Sequence, residues 1–277
     1  MSISLSLTCL QYTATKKESI TLKNIRPLIN EAVELGSDFI TLPECSTSLQ
    51  RNPEITKKLA TTEAENISLQ TLMEIAKERK LYILIGSLPI KFDKKITNRS
   101  FLIGPSGNIL FKYDKIHLFD VKLPNGEMFK ESNTYSHGSK AIIATIEQKQ
   151  KIKIGMTICY DLRFPNLYQD LAQNGAEIIT VPSAFSNITG PMHWHTLLKA
   201  RAIETGCFIL APAQTGLHQC GRNSYGHSLI ISPWGEILAD AGKDICLINA
   251  KIDLEEVKRA RLAIPSLKSK KDYSANF

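Results

Sequence analysis

Three short segments place chemically useful side chains where apolar runs end. In Gly155-Met156-Thr157-Ile158-Cys159-Tyr160-Asp161 a strand-like run delivers a cysteine to its C-terminal end, just before a loop and a helix near 166. Ligands and reactive groups collect at such strand ends in α/β proteins. A thiol there is a nucleophile once deprotonated, and the backbone N–H of Tyr160 can donate to an oxyanion. Alone, the segment suits equally a buried cysteine acting as a small hydrophobe. In Thr41-Leu42-Pro43-Glu44-Cys45-Ser46 a second run ends on a carboxylate. A thiol needs a base, and a carboxylate in a dry site has its pKa raised toward that task. An isolated Glu44 reads as a solvated loop acid. In Tyr113-Asp114-Lys115-Ile116-His117-Leu118-Phe119-Asp120 a hairpin strand ends on Lys115. A cation there stabilises an oxyanion and favours a thiolate; by itself it reads as a surface lysine.

The surrounding pattern supplies strands and helices in alternation. Ile25, Leu28, Ile29, Ala32 and Val33 recur at helical spacing, which predicts an amphipathic helix over 17–36, with Gly36 as its C-terminal cap. Strands are expected over residues 38–42 and 82–87, with a helix over 65–80 between them. A hairpin pairs 100–103 with 109–113, and a loop runs to about 138. Strands over 141–147 and 152–158 turn at Gln148-Lys149-Gln150-Lys151. The second half repeats the rhythm: helix 166–174, strand 177–181, helix 192–204, strand 207–211. Strands 224–232, 236–238 and 245–250 and a helix over 254–262 follow. Two halves of this kind favour two mixed sheets packed together under helices, a four-layer α/β sandwich, over one doubly wound sheet.

The order Glu, Lys, Cys, in the contexts Leu-Pro-Glu, Lys-Ile-His-Leu-Phe and Gly-Met-Thr-Ile-Cys-Tyr-Asp, resembles the nitrilase superfamily of carbon–nitrogen hydrolases. The resemblance runs from the first strand to Asp253. It implies a nitrilase-like αββα sandwich, here a single domain over 1–277, and subunits paired as a homodimer or a higher homo-oligomer. It also implies roles: Glu44 as general base, Cys159 as the nucleophile forming a thioester, and Lys115 as oxyanion stabiliser. Glu131, in Phe129-Lys130-Glu131-Ser132, fits a second glutamate that holds the lysine and the attacking water. No cofactor and no metal are expected. True nitrilases carry Trp-Glu after the cysteine, where this chain has Tyr160-Asp161; carbamoylases carry an acid where it has Asn166. The stretches 184–194, 199–205 and 224–228 resemble the Nit group of amidases. Ala200–Glu204 and Ala213–Gly216 lean toward its deaminated-glutathione branch, while Lys-Ile-His-Leu-Phe-Asp also occurs in omega-amidases acting on 2-oxoglutaramate. The expected substrate is a small anionic linear amide with a distal 2-oxo acid, deaminated glutathione first. An N-carbamoyl compound is an alternative. A dead nitrilase-fold interaction protein is another, though all three catalytic residue types are present.

Arg163 and Phe185 are the candidate substrate-binding residues. Arg163 suits bidentate pairing with a carboxylate, or equally a buried ion pair with Glu204 or Asp161. His193 and His195, two apart on a predicted helix, point apart, which argues against a shared metal. His117 and His227 are expected to be structural, satisfied by loop backbone.

Composition is ordinary for a globular protein with a sizeable core: 43% of the 277 residues are apolar and 22% charged. Net charge is +7, but the clusters Lys77–Lys80, Lys91–Lys95 and Lys268–Lys271 are not interleaved with aromatics, so a nucleic-acid partner is not expected. The charge suits anionic small molecules. Six scattered cysteines form neither a zinc nor a disulfide pattern and point to a reducing, cytoplasmic setting. Residues 1–10 alternate like a strand rather than a signal peptide, and no apolar run reaches the roughly 18 residues that cross a bilayer.

Overall fold

The computed structural model describes residues 4–148, 150–269, 271 and 273–274. Met1–Ile3 of the expected first strand, Lys149 of the expected turn and Lys270 of the last lysine cluster lie outside the described residues. The elements run β1 (Ser4–Gln11), α1 (Glu18–Glu34), β2 (Phe39–Thr41), α2 (Pro53–Leu59), α3 (Ile67–Arg79), β3 (Tyr82–Phe92), β4 (Lys95–Ile103) and β5 (Ile109–Asp114). Next come β6 (Asp120–Lys122), β7 (Met128–Lys130), β8 (Ile142–Glu147), β9 (Lys151–Met156), α4 (Pro165–Gln173), β10 (Ile178–Thr180) and α5 (Gly190–Thr205). The chain ends with β11 (Phe208–Ala211), β12 (Thr215–Leu217), β13 (Asn223–Tyr225), β14 (Leu229–Ile231), β15 (Ile237–Asp240), β16 (Cys246–Asp253) and α6 (Glu255–Ala263).

Two six-stranded sheets result, ordered β16-β1-β2-β3-β4-β5 and β15-β14-β11-β10-β9-β8. Each has three parallel strands at its centre, β1-β2-β3 and β9-β10-β11, extended by antiparallel neighbours. Strand period fixes the layers. Phe39, Leu84 and Leu102 join the core shared with the second sheet, whereas Ile40, Ile83, Ile85 and Phe101 pack outward. Those outward residues meet Ile25, Ile29 and Ala32 of α1 and Leu69, Leu72 and Ala76 of α3. On the other side Trp194, Leu198 and Ala202 recur at helical spacing and lay α5 on the second sheet beside Leu167 and Leu171 of α4. Helix, sheet, sheet, helix is the expected four-layer order.

Departures from expectation have local causes. Helix α2 was not anticipated, although Asn52 and Pro53 announce it: the Asn52 side chain accepts from Glu54 N at 2.9 Å and proline sits in the first turn. The stretch expected as loop holds the β6–β7 hairpin. The expected strand over 224–232 is broken at Gly226 and His227, both at positive φ, so β13 pairs with β12 in a separate ribbon and β14 joins the main sheet. Among the described residues no helix is long and apolar enough to cross a membrane.

Gly86 is one tight junction bearing on the chemistry. It sits in the irregular stretch of β3 between Ile85 and Leu88, and a Cβ there would lie 2.2 Å from Leu42 O and 2.3 Å from Pro43 O. Those atoms belong to the backbone that carries Glu44, and backbone cannot swing aside as a side-chain tip can. Gly86→Ala is therefore expected to lower unfolding free energy by about 1–3 kcal/mol, the usual cost of overpacking. It should also shift Glu44. Denaturant melts and turnover on the same preparation check this; wild-type values for both would contradict it.

Candidate active site

Glu44 follows β2, Lys115 follows β5, and Cys159 opens a 3-10 turn (Cys159–Arg163) just past β9. Glu131 opens another short turn after β7. Four strand ends thus deliver four side chains to the wall of one cavity of about 440 Å³. Lys115, only 2% exposed, is held at both ends of its reach. Its N–H donates to Asn98 O at 3.0 Å, and its carbonyl accepts from Gly138 N at 2.8 Å. Arg99 fixes the strand end by a bidentate pair with Asp114, both bonds 2.7 Å.

The Lys115 ammonium donates to Glu44 Oε1 at 2.7 Å and to Glu131 Oε1 and Oε2 at 3.0 and 2.8 Å. Asn98 Nδ2 bridges the same two carboxylates, 3.1 Å from each. The remaining Glu44 oxygen accepts from Ala184 N at 2.9 Å, and Phe119 N donates to Glu131 Oε2 at 2.7 Å. Burial pushes the Glu44 carboxyl up, but Lys115, Arg222 and the Ala184 N–H outweigh it and hold it below the usual carboxylate range. The expectation of a raised Glu44 is thereby corrected: a buried base beside a fixed cation stays ionised. Lys115 is the mirror case, drawn down by burial and pushed well above its ordinary value by Glu131 and Glu44.

Cys159 has a φ of 45°, a left-handed conformation costly for a residue with a Cβ. The turn is held by Cys159 N donating to Pro182 O at 3.0 Å and by Ile158 N donating to the buried Asp161 carboxylate at 2.9 Å. Asp161 also accepts from Tyr113 Oη at 2.7 Å and from the N–H of His117 at 3.0 Å, so it ties the cysteine turn to the Lys115 segment. Burial and the Glu44 charge push the Cys159 thiol up to about 12, with Lys115 and Arg222 offsetting only part. The cluster at rest is a protonated thiol beside an ionised carboxylate and an ammonium.

Glu44, Lys115, Cys159 and Glu131 thus meet as the sequence predicts, and Tyr160, Arg163 and Phe185 line the same cavity. Neither ion pair considered for Arg163 forms: Asp161 is taken by Tyr113 and His117, and Glu204 pairs with Arg201 at 2.8 Å. The Arg163 guanidinium instead lies 5.5 Å from the Phe185 ring centroid and 5.9 Å from that of Tyr160, with His193 Nδ1 at 3.3 Å. His117 and His227 are satisfied by carboxylates rather than loop carbonyls, His117 by Asp161 at 2.7 Å and His227 by Asp240 at 3.0 Å. The sequence reading missed Asn98 and Arg222. A buried asparagine inside a strand was a usable signal, because strands disfavour it. Arg222, which donates to Ala184 O and lies 5.5 Å from the Phe129 ring, stands in a polar turn that gave none.

A sequence profile described as carbon–nitrogen hydrolase matches residues 6–262. The deaminated glutathione amidase of a Synechocystis strain is 39% identical over 262 residues, covering 93% of this chain and 95% of that protein. Mouse omega-amidase NIT2 is 34% identical over 270 residues, covering 96% and 94%. Among solved structures, Saccharomyces cerevisiae Nit3, described as a member of branch 10 of the nitrilase superfamily, matches with TM-score 0.84 at 29% identity, covering 95% of this chain and 94% of that one.

A thiol whose folded pKa exceeds the ordinary 9.0 contributes stability below pH 9, lost as pH climbs toward 12. The same shift governs reactivity. Alkylation of Cys159 by iodoacetamide in the free protein is expected to keep rising between about pH 7 and 10 without a plateau. Glu44→Gln removes the charge that raises the thiol and should move this profile to lower pH. A rate already flat below about pH 8 would show a resting thiolate and contradict the assignment.

Proposed function

The chain belongs to the carbon–nitrogen hydrolase family and hydrolyses amides, and we propose that it does so through a thioester on Cys159, with deaminated glutathione as substrate. The observation that carries the reading is the hydrogen-bonded group of Lys115, Glu44 and Glu131 on the wall of the cavity that Cys159 lines. The scissile carbonyl points its oxygen toward Lys115 and the backbone N–H of Tyr160. The Cys159 N–H is committed to Pro182, so the donor from this turn is the next one along. As Sγ attacks the carbonyl carbon, Glu44 takes the thiol proton. Full transfer beforehand is uphill, because the thiol is raised and the carboxyl lowered, so proton transfer accompanies C–S bond formation. Lys115 meets the charge that develops on oxygen. Glu44 then returns its proton to the departing amine nitrogen. Glu44 deprotonates water as it attacks the thioester carbonyl, the C–S bond breaks to release the acid, and Glu44 returns the proton to the departing Cys159 sulfur. Glu131 touches Lys115 rather than the reacting atoms and acts as a positioning residue.

The cavity wall supports an anionic substrate. Arg51, Arg163 and Arg222 line it, and Phe129 and Phe185 supply apolar surface between them. Arg163 is proposed to pair with a substrate carboxylate, with Phe185 as the wall beneath it. A deaminated glutathione amidase is the relative of higher identity, 39% against 34% for an omega-amidase, and this supports deaminated glutathione as the amide cleaved. The proposal extends to a cytoplasmic homodimer. Free cysteines suit a reducing compartment, and the exposed Met192 and Ile203 of α5, with Trp234 near Ile203, offer an apolar face for pairing.

Mass spectrometry of protein quenched during turnover should find an acyl adduct on the peptide containing Cys159, and none in Cys159→Ala; an adduct on Cys45 instead would overturn the assignment. Glu44→Gln and Lys115→Ala should each lower kcat by about 100-fold or more. Arg163→Met should raise KM with less change in kcat, and kcat/KM should be higher for deaminated glutathione than for 2-oxoglutaramate. The reverse preference makes the chain an omega-amidase with the same catalytic residues, and cleavage of an N-carbamoyl compound alone would displace both substrates.

A further inference from the structure

Among the described residues away from the cavity, one cluster of side chains has the composition and spacing of a metal site. His195 of α5, His227 between β13 and β14, and Asp240 at the end of β15 converge so that their ligand atoms all lie within 4.8 Å of one another. Asp240 Oδ2 is 3.1 Å from His195 Nε2 and 3.2 Å from His227 Nδ1. A tetrahedral ion with donors at about 2.0–2.2 Å holds them roughly 3.3–3.5 Å apart. The two imidazole–carboxylate spacings are thus within a few tenths of an ångström of that geometry, and the imidazoles approach the same carboxylate oxygen from different elements.

The arrangement is held in place from outside. His227 has a φ of 54°, rare for a residue with a Cβ, and this conformation aims its ring at Asp240. Its N–H donates to Gly242 O at 2.6 Å and its carbonyl accepts from Trp194 Nε1 at 2.7 Å. The Tyr225 ring stacks on its imidazole at 4.5 Å between centroids. Asp240 Oδ1 accepts from Gly242 N at 2.8 Å, the kind of outer support that orients a ligating carboxylate. Because His195 and His193 point apart, the neighbouring histidine plays no part; the partners come from β-structure across the helix. Two imidazoles and one carboxylate suit zinc, cobalt or nickel rather than calcium or magnesium, which take oxygen ligands.

We infer that His195, His227 and Asp240 bind one divalent transition-metal ion of the zinc class, with water completing the shell. The ion is structural. It fastens α5 to the β14–β15 edge and thereby steadies Trp194, which packs on the cavity residue Phe185 at 4.9 Å between ring centroids.

The test is titration of metal-free protein with Co2+ and then Zn2+ at about pH 7.5, above the ordinary imidazole pKa. One Co2+ should bind per chain with the visible absorption of a nitrogen and oxygen site, without thiolate-to-cobalt charge transfer, and Zn2+ should displace it. Zn2+ should also raise the melting temperature of wild type and of Cys159→Ala. Asp240→Asn keeps the size of the side chain and an amide oxygen able to accept from both rings, so those two hydrogen bonds survive it although the Gly242 N–H loses its acceptor. Metal affinity in Asp240→Asn and in His195→Ala should nevertheless fall by more than about 10-fold, the least that even an outer-support change brings. Amide hydrolysis should be the same with and without the ion. The inference is overturned by a site with thiolate charge transfer, by affinity indifferent to Asp240→Asn, or by no binding below about millimolar concentration.

Discussion

A lysine ammonium buried to 2% exposure is tolerable only if its lost hydration is replaced, and here two carboxylates replace it. Removing one partner of such a buried group leaves a charge uncompensated, at a cost of about 3–5 kcal/mol. The demand reaches far into the fold. Glu44 must arrive from the end of β2, Lys115 from the end of β5 and Glu131 from the hairpin formed by β6 and β7. Asn98, one residue before the centre of β4, then spans both carboxylates and spaces them. The parallel centre of the first sheet matters to function because it sets Glu44 and the backbone around Gly86 at one level.

The second sheet contributes through a different hub. Asp161 is fully buried and joins the backbone before Cys159 to Tyr113 of β5 in the other sheet and to His117 in the bend that follows it. It keeps the cysteine in its left-handed turn, so the strain at one residue is stored by hydrogen bonds made at others. The surroundings of Cys159 favour the neutral thiol, which makes the resting site a weak nucleophile. In the proposed reaction that is an advantage: sulfur becomes strongly nucleophilic only when a bound carbonyl stands ready to take the electron pair and the Lys115 charge.

Much of this was legible from residue order. Apolar runs ending at Glu44, Lys115 and Cys159 located three strand ends, and helical spacing located α1, α3 and α5. Alternating strands and helices in two similar halves gave the layered sandwich. What the order did not carry was the pairing of residues far apart in the chain. Ala184 N reaches Glu44 across 140 positions and Asn98 reaches it across 54, and neither has a local pattern. The sign of the Glu44 shift depended on the same pairings: burial alone raises a carboxyl, and only the placed Lys115 and Arg222 reverse it. His117 and His227 were read as backbone-bonded because their carboxylate partners, Asp161 and Asp240, lie in other elements.

Everything turns on the distribution of protons in the free site: thiol on Cys159, ammonium on Lys115 and carboxylate on Glu44. Neutron diffraction from deuterium-exchanged crystals near neutral pD reads those protons directly. The account predicts a deuteron on Cys159 Sγ, three on Lys115 Nζ and none on either carboxylate oxygen of Glu44. A bare Cys159 sulfur with a deuteron on Glu44, or a Lys115 nitrogen carrying only two, would contradict it.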